Sequence, residues 1–302
     1  MKLQLQIKNT GIALVNAYRV LIKNDPLRLA GATAFFTSFA LPPILLLLIQ
    51  LLSLLFNRRT ISRKLFAQLG EIVGEDSVRQ VMEILRGFRG LASNLPLAIG
   101  GFLFLAFVAT TLFKVIQSSL NQVWGIQKSG EKKFKMALLT RFKSTLVILF
   151  TGILLIGSLA AESFKVVFGN YLDDTFPVAG FYMIGTLSTL VSIIIVCIWF
   201  TVLFRYLPDG IPNWRVAISG GLLTSILYNI GVVVLKWLLL HGNIGAVYGA
   251  SASIVFLLLF LFYASLIFYY GASFTKVWGE YLKQPILPVK NAETYEQLKI
   301  KN

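Results

Sequence analysis

The segment LAGATAFFTSFALPPILLLLIQLLSLLF, Leu29 to Phe56, runs 28 residues without one charged side chain. A helix of that length extends about 42 Å, more than the roughly 30 Å of hydrocarbon in a bilayer. Comparable apolar runs follow at 95–117, 138–161, 179–204, 216–240 and 244–270. A soluble chain carries about a quarter charged residues. Here the share is 14%, and the mean hydropathy is +0.75. The sequence therefore predicts an all-α integral membrane protein, a six-transmembrane-helix bundle over residues 29–270.

Basic residues orient that bundle. With the N-terminus inside, segments 1–28, 118–143, 205–215 and 271–302 hold 18 Lys and Arg, against 8 in segments 57–94, 162–178 and 241–243. The inside-positive bias places both termini in the cytoplasm, with 271–302 as a tail. It also accounts for much of the net charge of +15 without any nucleic acid, since no basic soluble face with interleaved aromatics is present. The cluster from Lys128 to Lys143 suits anionic lipid head groups. Residues 1–28 contain no continuous apolar stretch of the kind a cleaved signal needs. Ile12, Val15, Tyr18 and Ile22 instead recur at helical spacing. The segment reads either as a basic amphipathic helix on the membrane surface or as a solvated tail that sets orientation.

The 57–94 loop carries seven basic residues on the outer side, and it is patterned. Ile61, Leu65, Phe66, Leu69, Ile72 and Val73 form one apolar stripe, and Val78, Val81, Met82, Leu85 and Phe88 form another. Two amphipathic helices on the outer face explain both, with Ser77-x-x-Gln80 as an expected cap of the second. Arg58, Arg59, Arg63, Arg79, Arg86 and Arg89 are candidate contacts for phosphorylated head groups. Lys114 and Lys236 lie within apolar runs near span ends, where a lysine either snorkels to the head groups or holds an anion in a cavity.

Enzyme signatures are missing. One histidine, His241, and one cysteine, Cys197, exclude a histidine pair for a metal and an internal disulfide. No phosphate-binding Gly-rich loop ending in Lys occurs, and the thirteen carboxylates all fall in loops or tails by this span assignment. The expectation is a protein without catalytic residues, metal or cofactor. Small residues carry more signal. Ala30, Ala34 and Ser38 mark the first span. Ser219, Gly220, Gly221, Thr224, Ser225 and Asn229 mark the fifth, and Gly245, Gly249 and Ser253 the sixth. Such stripes permit close helix packing, self-association included, or a partly polar interior.

Pro42 and Pro43 interrupt the first span, removing the hydrogen bonds to the carbonyls of Ser38 and Phe39. The prediction is a kinked helix whose small polar half, with Ala34, Thr37 and Ser38, lies on the cytoplasmic side. That half lines a polar pathway against spans five and six, or else the prolines are only a bend.

Several motifs, in order, resemble the YihY/BrkB family of bacterial inner-membrane proteins, formerly labelled ribonuclease BN. They are Leu29-Ala30 with Phe35-Phe36 and Pro42, then Ser119 through Ile126, then Arg205-Tyr206-Leu207-Pro208-Asp209 with Trp214-Arg215 and Gly220-Gly221. Tyr248-Gly249-Ala250 and Gly271-Ala272-Ser273-Phe274 complete the set. Two positions depart from the pattern: phenylalanines replace the family's usual tyrosines at 35 and 36, and Ser273 replaces a common glutamate. The resemblance implies six spans in the inner membrane and a transporter or envelope-lipid-handling role. Scattered acids do not support the ribonuclease label, because phosphodiester hydrolysis needs clustered metal ligands or a histidine pair. The leading expectation is a transporter or lipid-handling protein for an amphipathic or anionic envelope substrate. The alternative is a membrane scaffold that recruits envelope partners through the 57–94 loop.

Overall fold

The computed structural model describes residues 2–53, 57–91, 95–128, 177–241, 248–289 and 292–294, with a few isolated positions between 150 and 157. The expected span at 138–161 lies almost wholly outside these residues. Among them the chain is largely helical: α1 (Lys2–Ile22), α2 (Pro26–Leu52), α3 (Arg58–Val73), α4 (Glu75–Leu91), α5 (Leu95–Trp124), α6 (Pro177–Tyr206), α7 (Trp214–His241) and α8 (Ala252–Tyr281). Segments of α2, α6, α7 and α8 are long and apolar enough to cross a membrane.

Two ends of the bundle can be told apart by contacts. At one, the basal end, the Gln122 amide donates to the Asn24 carbonyl, joining the end of α5 to the α1–α2 turn. A C-terminal segment crosses the same end as a strap of two short antiparallel pairings. Strand β3 (Leu287–Pro288) pairs with β2 (Gly210–Ile211), and β4 (Ala292–Thr294) pairs with β1 (Ile126–Lys128). At the other end α3 and α4 form a hairpin. Ile61 and Leu65 of α3 are buried with Ile49 and Leu52 of α2. Val73 and Val78 are buried with Leu235 of α7 and Phe256 of α8.

Exposed aromatic rings mark both ends: Tyr206, Trp214 and Tyr281 at the base, Trp237 and Tyr248 near the hairpin. Such rings prefer the head-group level of a bilayer. Between them the outward faces of the long helices are apolar, as Ile194 and Ile198 on α6 and Ile226, Ile230 and Val233 on α7 illustrate.

The hairpin break differs from the expected cap. Gly74 sits at φ 84° and ends α3, so α4 starts directly at Glu75. Glu75 and Asp76 occupy its first turn, where negative charge complements the helix dipole. Ser77 and Gln80 are thereby freed from capping. The Ser77 hydroxyl donates to the Ser253 carbonyl (3.0 Å) and the Gln80 amide to the Ser253 hydroxyl (2.7 Å), which tethers the hairpin to α8.

Helix α2 continues as one element from Pro26 to Leu52, with the buried Pro42 and Pro43 inside it. The sixth apolar run also differs from expectation. A short 3-10 turn, Gly249–Ser251, precedes α8, and Gly249 has φ 53°. A left-handed residue cannot sit inside a right-handed helix. Gly249 is therefore exposed on a turn, and Gly249 and Ser253 do not share one helical face; Gly245 lies outside the described residues.

Candidate functional site

Two arginines, Arg58 and Arg59, open α3, and Arg63 follows on its second turn. Asn57 caps it by accepting the Arg59 backbone N–H (3.0 Å), which fixes the first turn. Arg58, Arg59 and Arg63, with Ser62, Phe66 and Met82, line a cleft of about 580 Å³ between α3 and α4. The walls are therefore of two kinds. Guanidinium groups offer planar, always-charged donors, while Phe66 and Met82 offer apolar contact. Cations at a helix N-terminus are disfavoured by the dipole, by about 0.3–1 kcal/mol each at exposed sites, and an anion there relieves that cost.

The other expected head-group contacts do not join this cleft. Arg79 faces Glu75 (3.9 Å) and Asp76 (3.8 Å) on its own helix, and all three side chains are exposed. Arg86 is exposed on α4, and the Arg89 side chain lies outside the described residues. Lys114 is exposed on α5, and Lys236 is half-buried on α7.

The expected pathway residues are either buried against neighbouring helices or bonded along their own. Ala34 is buried in the apolar cluster that holds Phe256, Phe260 and Leu261 of α8. Thr37 donates to the Thr33 carbonyl (2.6 Å) and Ser38 to the Phe35 carbonyl (2.7 Å), so both hydroxyls are satisfied on their own helix. Neither reaches the carbonyls that the prolines leave without a partner. Ser219 donates to Arg215, Ser273 to Tyr269, and Asn229 to Ser225, again along their own helices. Asn229 also accepts from Ser192 of α6 (3.2 Å).

Glycines let these helices meet. A Cβ on Gly220 would overlap the Thr275 hydroxyl of α8, and one on Gly271 would overlap the Thr224 hydroxyl of α7. Gly221 does the same work toward α6, where Thr201 and the Cys197 carbonyl fill the space. In hydrocarbon, helices gain nothing from hiding apolar surface, so close packing of this kind supplies the association.

Sequence reading missed the polar cluster at the basal end. Asp209, in the turn after α6, is buried at 7% exposure although it belongs to a loop. Gln117 and Asn121, one turn apart on α5, donate to its two carboxylate oxygens at 3.1 and 2.6 Å. The Asn121 side-chain oxygen accepts the Asp209 N–H (2.9 Å), and the Asp209 carbonyl accepts from Val289 of the strap (2.9 Å). Nearby, the buried Tyr269 hydroxyl lies 2.5 Å from that of Thr33, linking α8 to α2. Arg205 donates to the Pro212 carbonyl and stacks over Trp214, 4.5 Å from the ring centre. The available signal was the four-residue spacing of Gln117 and Asn121, which places two amides on one face of α5.

The family described as Virulence factor BrkB matches residues 17–293, so the match includes the basal cluster, the hairpin and the strap. The chain belongs to the BrkB family. Its relatives in that family include the UPF0761 membrane protein of Idiomarina loihiensis, 29% identical over 235 residues and covering 76% of each chain. The UPF0761 membrane protein of Saccharophagus degradans is 22% identical over 270 residues, 88% of this chain and 59% of that one. That of Chlorobium chlorochromatii is 25% identical over 287 residues, 93% and 63% respectively. This chain thus spans about three fifths of the length of the last two. No solved structure matches it. As a BrkB-family chain with several long apolar helices, it is a membrane protein.

Proposed function

We propose that this BrkB-family protein is a multi-pass inner-membrane protein that binds and moves an amphipathic anion, a phosphate-bearing lipid or a similar envelope molecule, and is not an enzyme. The observation that carries the reading is the α3–α4 cleft, which sets Arg58, Arg59 and Arg63 beside Phe66 and Met82. Guanidinium groups hold phosphate oxygens through paired, charge-assisted bonds. The apolar walls and the lipid-facing helices beneath them suit an acyl chain.

Six crossings belong to the same reading, with the bend at Pro42-Pro43 shortening the first to the membrane. Helices α5 and α6 both end at the base. The apolar run at 138–161 supplies one crossing. With the basic termini inside, the base is cytoplasmic and the cleft faces outward.

The deciding experiment is reconstitution of the purified protein with labelled phospholipids of several classes, followed by measurement of their movement between leaflets or to an acceptor. A rate above empty vesicles that falls in the R58E/R59E/R63E variant supports the proposal. No rate above empty vesicles for any class refutes transport. The close helix packing at Gly220 and Gly271 favours a second reading, a scaffold whose hairpin recruits an envelope partner. Crosslinking from the hairpin to one defined protein, with no lipid movement, would select it.

A further inference from the structure

Helix α1 presents two faces. Ala13 and Ala17 are buried against Phe274, with Leu14, Tyr270, Val277 and Trp278 packed around them. The Tyr270 hydroxyl donates to the Leu14 carbonyl (3.1 Å), which pins the rotation of the helix on α8. The opposite face carries Ile12, Val15, Tyr18 and Ile22, between 49% and 57% exposed. Four large apolar side chains in a row are an expensive surface to leave in water, at about 25 cal/mol per Å². Arg19 and Lys23 are exposed beside them. The first 24 residues contain Lys2, Lys8, Arg19 and Lys23 and neither Asp nor Glu. The nearest acid, Asp25, faces Arg28 at 3.8 Å.

We infer that this face of α1 is a docking surface for anionic lipid in the leaflet at the basal end. Three observations converge. The face joins apolar and cationic groups, the pairing that seats a helix about 5–10 Å into the head-group boundary of an anionic membrane. It lies at the end of the bundle ringed by Tyr206, Trp214 and Tyr281, which is the head-group level. It leads directly into Leu27, 67% exposed, where the outward face of α2 begins. The buried alanine face ties this lipid contact to α8, so binding of anionic lipid bears on the helix that carries Gly271, Ser273 and Thr275. The inference is independent of the outer cleft and stands if the transport reading fails.

The test uses the full chain with Cys197→Ala as background and Val15→Cys labelled with an environment-sensitive fluorophore. Val15 is exposed, so the label does not disturb packing. The protein is reconstituted into vesicles of phosphatidylcholine alone or mixed with phosphatidylglycerol. The expected result is a blue shift and loss of iodide quenching in the mixed vesicles, reversed in the R19E/K23E variant. Equal quenching in both compositions, or no effect of R19E/K23E, overturns the proposal. So does a photocrosslink from position 15 that joins two copies of the chain.

Discussion

The Thr275 side chain fills the space that a Cβ on Gly220 would need, and Thr224 fills the same space at Gly271. Helices α7 and α8 each carry Gly-x-x-x-Thr, and each threonine donates to the carbonyl of its own glycine, 2.7 Å in both cases. The two notches are reciprocal, so enlarging either glycine separates both helices. G220L or G271L should lower stability by about 1–3 kcal/mol, the usual cost of overpacking. Thermal unfolding in detergent measures it. G31L is the control, because nothing lies within 4 Å of a side chain at Gly31. Equal losses in all three variants would dismiss the seam.

Asp209 should act as a fastener between α5, the α6–α7 turn and the strap. Both carboxylate oxygens accept from amides, so Asp209→Asn sets one NH₂ against another NH₂. Hydrogen bonds to charged groups contribute about 1.5–3 kcal/mol each, and an orphaned buried donor costs about 1–3 kcal/mol. D209N and N121A should therefore loosen the strap before they unfold the bundle. Limited trypsin digestion reads this as faster cleavage at the exposed Lys283 with the helices still intact. Unchanged cleavage would mean that the pairings of β1 to β4 hold the strap alone.

How much of this was legible beforehand follows from the physics of each feature. Apolar runs declare themselves by length, so the starts of α2, α6 and α7 lie within three residues of those expected. The stripes of the 57–94 loop revealed two amphipathic helices because their period is set by one buried face. Their N-terminus was misplaced because Gly74 ended α3 in a left-handed conformation, a choice local sequence leaves open. Gly220 and Gly221 stood out as small residues, but their partners Thr275 and Thr201 are visible only once the helices meet. Asp209 has the local sequence of an ordinary loop acid, since burial by a strap more than 70 residues later leaves no local trace.

The cleft yields a prediction about binding rather than stability. Its arginines are exposed, so R58E/R59E/R63E should fold as well as the parent. Each basic residue near anionic lipid contributes about 1 kcal/mol. Losing three attractions weakens binding of phosphatidylglycerol or cardiolipin roughly a hundredfold, at 1.4 kcal/mol per factor of ten, and the repulsion from three new carboxylates adds to that loss. R79E should change binding little, because Arg79 already faces Glu75 and Asp76. Native mass spectrometry of lipid-bound states can rank the variants. Equal weakening by R79E would mean that general surface charge, not the cleft, recruits the lipid.

Sidedness can be read directly. The hairpin and the strap lie at opposite ends of the bundle, and the proposed orientation, with the basic termini inside, puts the strap end in the cytoplasm. Single cysteines in a C197A background, probed with a membrane-impermeant maleimide, report which end faces out. R63C and R86C should label in intact cells with an opened outer envelope. K23C and K283C should label only after the inner membrane is permeabilised. Asn170→Cys is the informative position: the proposed crossing by the apolar run at 138–161 predicts that it labels with R63C. If N170C labels with K283C instead, the 138–161 run does not cross, and the six-crossing arrangement fails at that one segment. If all positions reverse together, the arrangement stands and the cleft faces the cytoplasm, which would move the proposed anion site to the inner leaflet.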